Sequence, residues 1–196
     1  MPLTKLNNKS VANVTSIPVA LGDMVLVSSA TASSSASIEF TLGDYKEYKF
    51  FFVDIHPSTD TVSLQFNFST DNGSNYNVTK TSTSFRASHA ESDAGGEVIY
   101  RTGNDLAQST SFQNITEGMG NDNDQISVGI MSVFNPSSTT YVKNFISRTQ
   151  ESNSGDYTGE NYIAGYANTT SALTNIKFQM SSGNIDDGKI LMFGIN

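Results

Sequence analysis

Residues 62–68 read Val-Ser-Leu-Gln-Phe-Asn-Phe, apolar side chains separated each time by one polar residue. A spacing of two sets Val62, Leu64, Phe66 and Phe68 on one side of a pleated strand, whereas a helix would scatter them round its axis. Ser63, Gln65 and Asn67 then face outward. Similar patterns recur along the chain. Ala36, Ile38 and Phe40 alternate within Ser34–Thr41, and Tyr48–Ile55 (YKFFFVDI) is apolar on both faces, as in a central strand covered on each side. Further strands are expected at Tyr76–Phe85, Val98–Tyr100, Gln125–Phe134, Thr140–Arg148, Glu160–Ala167, Asn175–Met180 and Lys189–Ile195. The Asn72-Gly73 pair signals a tight hairpin joining Val62–Phe68 to Tyr76–Phe85.

Residues 86–122 show little periodicity apart from Val98–Tyr100 and read as one long polar excursion, and Ser152–Gly159 reads as a flexible loop. Many short strands with turn residues between them predict an all-β antiparallel β-sandwich over residues 23–196, jelly-roll-like in topology. Residues 1–22 differ. Leu3, Leu6, Val11, Val14 and Ile17 stand singly among polar residues before Pro18 and Gly22. So few apolar groups cannot build a core, but they suit an extended N-terminal arm that orders against a partner.

The chain has 196 residues, of which 37% are apolar, including 12 Phe and 8 Tyr, enough for a core between two sheets. Ser, Thr, Asn and Gly replace many of the usual charged residues, which suits turns and wet strand faces. A net charge of -8 with 11 scattered basic residues opposes nucleic-acid binding, which needs clustered cations. Cysteine is absent, which excludes thiolate metal sites and disulfides. No apolar run approaches the roughly 20 residues that span a bilayer. Nor does any stretch resemble a signal peptide. Assembly in a bacterial cytoplasm is therefore expected, without membrane insertion.

His56 precedes Pro57, which favours extended backbone and a corner hydrogen bond over metal ligation. His89, near Glu91 and Asp93, reads as part of a solvated loop. Asp71 in Asp71-Asn72-Gly73, and Asp122 and Asp124 in Asn121-Asp122-Asn123-Asp124, offer oxygen ligands to calcium. Neither cluster is a closed ligand set, and turn chemistry explains both, so no metal or other cofactor is expected. Asp54, Glu97, Glu117, Asp156 and Glu160 could supply a hydrolytic pair, but 19 acidic residues provide such pairs anywhere. No nucleophile elbow, zinc-protease helix or P-loop is present, and no catalytic residue is assigned. Tyr157, Tyr162 and Tyr166 are candidate glycan contacts, with Tyr141 upstream. The plainer reading puts Tyr162 and Tyr166 on one face of a strand, covering a sheet.

Three segments carry a resemblance. They are the opening LTKLNNKSV, the internal FVDIHPSTDTVSLQFNFSTDNGSNYN, and the ending IKFQMSSGNIDDGKILMFGIN with its final Phe-Gly-Ile strand. Together they resemble small β-sandwich virion proteins of tailed phages, head-decoration and fibre types, especially those of marine phages. The resemblance implies a jelly-roll-like sandwich and a virion location, and brings no catalytic residues with it. The function expected is a non-catalytic structural protein, a capsid decoration or short fibre attached through its N-terminal arm. A receptor-binding tail adhesin for host surface glycans is the alternative, and a polysaccharide depolymerase the remote one. Expected partners are other virion proteins and further copies of the chain.

Overall fold

Most residues that alternate in the sequence meet in the interior, but Ala36 is exposed, because β2 begins only at Ile38. The computed structural model describes residues 24–196, so Leu3, Leu6, Val11, Val14 and Ile17 lie outside the described residues. Strands are numbered along the chain. The large sheet runs, in spatial order, β1 (Met24–Thr31), β12 (Ile185–Ile195), β3 (Glu47–Pro57), β8 (Ser127–Phe134), β9 (Lys143–Asn153), β10 (Tyr157–Ala167), β5 (Lys80–Ala90) and β6 (Gly96–Tyr100). The small sheet runs β2 (Ile38–Thr41), β11 (Asn175–Met180), β4 (Leu64–Ser69) and β7 (Gln113–Asn114). All neighbouring pairs are antiparallel.

The order is that of a jelly roll. The set β1, β3, β8, β12 occupies one sheet and β2, β4, β7, β11 the other, and each sheet places its last strand between its first two. This is the wrapping of a long doubled hairpin into two packed sheets. The remaining strands, β9, β10, β5 and β6, extend the large sheet beyond β8.

Phe178 of β11 lies at the centre of the core, its ring 5.3 Å from Phe50 and from Phe52 of β3 and 6.4 Å from Phe66 of β4. Phe145 of β9 closes the cluster 5.1 Å from Phe66. Val62, Leu64, Phe66 and Phe68 are all buried, as their alternation requires. Two of the intervening residues depart from expectation, because Ser63 and Asn67 are buried too. The Asn67 amide donates to the carbonyls of Tyr76 and Thr110, so crossing loops supply the partners that water would have given.

The expected hairpin is corrected. Asn72 and Gly73 do adopt the left-handed conformations of a tight turn, with φ 57° and 84°. The chain then crosses to the other sheet: β4 pairs with β11 and β7, and β5 with β10 and β6. Turn chemistry sets local backbone geometry and is silent on which sheet receives the next strand. The Ser152–Gly159 loop is corrected too, since β9 and β10 continue through it to a short turn at residues 154–156. Tyr48–Ile55 forms a central strand, but only its inner face is covered; Phe51 is half-buried and Val53 exposed.

The candidate binding clefts and the outer sheet face

Beyond β8 the inner face of the large sheet changes character. Ser82, Ser84 and Arg86 of β5, Ser147, Thr149 and Glu151 of β9, and Asn161 of β10 all point inward and are buried. Residues 101–120, the main part of the expected excursion, fold back over them. The Ser82 hydroxyl donates to the Gln113 side chain, the Thr149 hydroxyl to the Ile115 carbonyl, and the Asn153 amide to the Glu117 carbonyl at 2.9 Å. An irregular segment can cover this face because it exchanges hydrogen bonds with it, as buried polar groups require.

Glu151 has no exposed surface. Its Oε2 accepts from the Glu117 backbone N–H at 2.9 Å and from the Asn161 amide at 2.7 Å, while Oε1 has no partner among the described residues. Burial pushes its carboxyl up to about 8, against the opposing charge of Arg86 and the Asn161 hydrogen bond. A neutral carboxyl tolerates such a place far better than a carboxylate.

Arg86 is only 5% exposed. Its Nη1 lies 3.7 Å from Glu117 and its Nη2 3.9 Å from Glu97, longer than hydrogen bonds, and Nε finds no acceptor among the described residues. Glu117 makes its hydrogen bonds elsewhere: Oε2 accepts from Arg101 Nε and from the Asn104 amide at 2.9 Å, and Oε1 from Arg101 Nη2 alone, which leaves Oε1 room for one more donor. The Arg86 guanidinium therefore keeps unspent donors, and the Tyr157 ring packs over it at 5.3 Å.

Three clefts meet around Tyr157. One, of about 410 Å³, is walled by His89, Glu91, Asp122, Asp124 and Asp156. A second, of about 390 Å³, lies between Arg86, Ser88, Gly96 and Glu97. The third, also about 410 Å³, is lined by Thr61, Ser63, Arg86, Glu117 and Ser154. Glu151 has no surface to offer, so of these two glutamates only the half-buried Glu117 presents a carboxylate to a cleft.

The sequence candidates fall in several places. Tyr157 points inward and lines the clefts, whereas Tyr162 lies on the outer face, stacked on Phe85 at 4.7 Å, and Tyr166 follows it at strand spacing. These three tyrosines thus form no single platform. Asp122 and Asp124 share the first cleft, but among the described residues no three His, Cys, Asp or Glu side chains gather at metal-holding distance. Asp71 spends its carboxylate inside its own turn, accepting from Ser69 at 2.7 Å and from Asn75 at 2.9 and 2.7 Å; these bonds hold it down at about 2. His56 donates from Nε2 to the Asp122 carbonyl at 3.2 Å, the corner bond expected of it. His89 is corrected from loop to strand, near the end of β5. Arg86 and Glu151 were missed. The period of β5 is plain in Ser82, Ser84 and Arg86, but its polar side is the one that faces inward.

The outer face of the large sheet is a second candidate surface. Register places Leu191, Phe51 and Ile130 directly opposite one another on β12, β3 and β8. Arg148, Tyr162, Phe85 and Tyr100 continue the same row across β9, β10, β5 and β6. Ile130 is 42% exposed and Phe85 41%, with exposed Leu26, Val53, Val128 and Ile146 nearby on the outer face. Arg148 within the row and Lys49 beside it are paired with Glu160 and Glu47. The row ends at β6, an edge strand exposed along its length, where Val98 is 75% exposed.

No protein-family model, curated protein or solved structure matches the chain. Among the described residues no helix is long and apolar enough to cross a membrane.

Proposed function

We propose that the chain is a non-catalytic structural protein of a tailed-phage particle, a capsid decoration or short fibre, that works by contact. The observation that carries this reading is the aromatic and aliphatic row across the outer sheet face. Its occupant on this reading is a second copy of the chain. Six interstrand steps of about 4.8 Å make a strip roughly 29 Å long, and three rows of side chains make it about 20 Å wide. Its footprint, on the order of 600 Å², is about three quarters of the roughly 800 Å² per partner of a standard interface. A molecule of charge -8 repels its own copies, so association favours a face whose charges are already paired, as Lys49 and Arg148 are here. The N-terminal arm, through Leu3 and Leu6, supplies attachment to other virion proteins.

Incorporation into particles tests this reading. Phage grown with Ile130→Glu in this protein should yield particles lacking it or carrying far fewer copies, counted by quantitative mass spectrometry of purified virions. Leu3→Asp with Leu6→Asp should do the same while leaving the folded domain intact. Normal copy number in both variants, or no copies in wild-type virions, would contradict the proposal.

A second reading, a glycan-binding adhesin module, is favoured by one observation, the buried and undersatisfied Arg86 beside Tyr157 in a hydroxyl-lined cleft.

A further inference from the structure

The cleft between Arg86, Glu117 and Ser154 has three properties that point to an occupant. At about 410 Å³ it falls in the range of small-molecule sites, roughly 300–1,000 Å³. One wall is a guanidinium that is nine-tenths buried and whose donors find only long ionic contacts among the described residues. Buried donors without acceptors are costly, so a fold that retains one calls for a partner to satisfy it. Another wall is strained: Thr61, a β-branched residue, holds φ at 59°, a conformation such side chains avoid. Its hydroxyl donates to the Asp60 carboxylate at 3.2 Å and lies 3.0 Å from that of Ser154, so two hydroxyls line this wall together.

The polar groups also define the ligand. Arg86 can donate only, the Glu117 carboxylate can accept only, and the hydroxyls of Thr61, Ser63 and Ser154 do either. A ligand that fits must accept and donate at adjacent atoms, as vicinal hydroxyls do. Two cations, Arg86 and Arg101, face two carboxylates, Glu117 and Glu97, so the cleft carries no net charge to favour a carboxylate or phosphate ligand. We infer that this cleft binds a neutral sugar unit of a glycan, a hexose or N-acetylhexosamine, with Arg86 donating to its hydroxyl oxygens, Glu117 accepting from its hydroxyls and Tyr157 forming the wall. This rests on the glycan-binding reading and is separate from the outer-face contact, which lies on the other side of the sheet.

Saturation-transfer NMR on the full chain, with methyl glycosides of neutral hexoses and N-acetylhexosamines and of uronic and sialic acids, tests it. At least one neutral glycoside should receive saturation, and titration calorimetry should show its affinity falling at least tenfold in Arg86→Gln. Because Arg86 is buried, its replacement can unfold the domain. Ser154→Tyr, at a half-buried position, should fill the cleft and abolish binding without changing the melting temperature or the oligomeric state. Saturation of the acidic glycosides alone, of none of the panel, or unchanged binding in Ser154→Tyr would overturn the assignment. Loss of self-association in Ile130→Glu with sugar binding retained would leave it standing.

Discussion

Two buried titratable side chains, Glu151 and Lys80, tie the stability of the fold to pH in opposite senses. Glu151 titrates near 8 in the folded chain against an ordinary 4.5, so the folded state holds its proton longer. Its contribution is fully present below 4.5 and is lost as pH rises through about 8. Lys80 has no exposed surface; its ammonium donates to Asn67 and to the Val78 carbonyl, and burial lowers it to about 7 from 10.5. Here the unfolded chain holds the extra proton, so stability is regained as pH rises from about 7 to 10.5. Thermal melts across pH should therefore fall and then rise, and Glu151→Gln should remove the fall while keeping the rise. A Glu151→Gln curve superimposable on wild type would mean the carboxyl is not held neutral. Phe66, fully buried against Phe145 and Phe178, should cost roughly 3–5 kcal/mol as Phe66→Ala in urea unfolding. A loss under about 1 kcal/mol would show that the site collapses round the cavity. The apolar half of such residue roles was legible, since burial of Phe66 follows from period and hydrophobicity alone. Glu151 and Arg86 were not, because a polar row inside a protein reads the same as one facing water.

Elements were legible where one face is apolar and the strand stands alone between turns. β4 and β11 follow their sequence patterns closely, and β12 ends as expected. Pairing was not legible, because the partners of β4 are remote in sequence and nothing near Asn72-Gly73 encodes them. The bulges between β3 and β12 were hidden for a similar reason. Register shifts there between Asp187 and Lys189, opposite Asp54 at φ 50°. Gly188 holds φ at 113°, and an added Cβ would stand 2.6 Å from the Asp54 carbonyl oxygen. Gly188→Ala should cost at least about 1–3 kcal/mol by strained backbone alone. A thermal midpoint within experimental error of wild type would show that the strands slide to relieve it.

At the scale of the whole molecule, the jelly roll explains why one sheet has a free face. Eight strands set the two-sheet wrapping, and the four added to the large sheet extend it past its small partner. Their inner side is covered by residues 101–120, and their outer side is left exposed with its aromatic row. The succession of short strands and turns foretells the sandwich but not this asymmetry, because the side to which an apolar row such as Phe51, Ile130 and Phe85 turns depends on strand order. On the proposed function that row is the contact between copies. Sedimentation velocity of the purified full-length chain, wild type beside Ile130→Glu with Phe85→Glu, tests this most directly. Wild type should sediment as a closed oligomer and the double variant as a monomer with an unchanged melting temperature. A wild-type monomer at every concentration, or a double variant that still assembles, would contradict it.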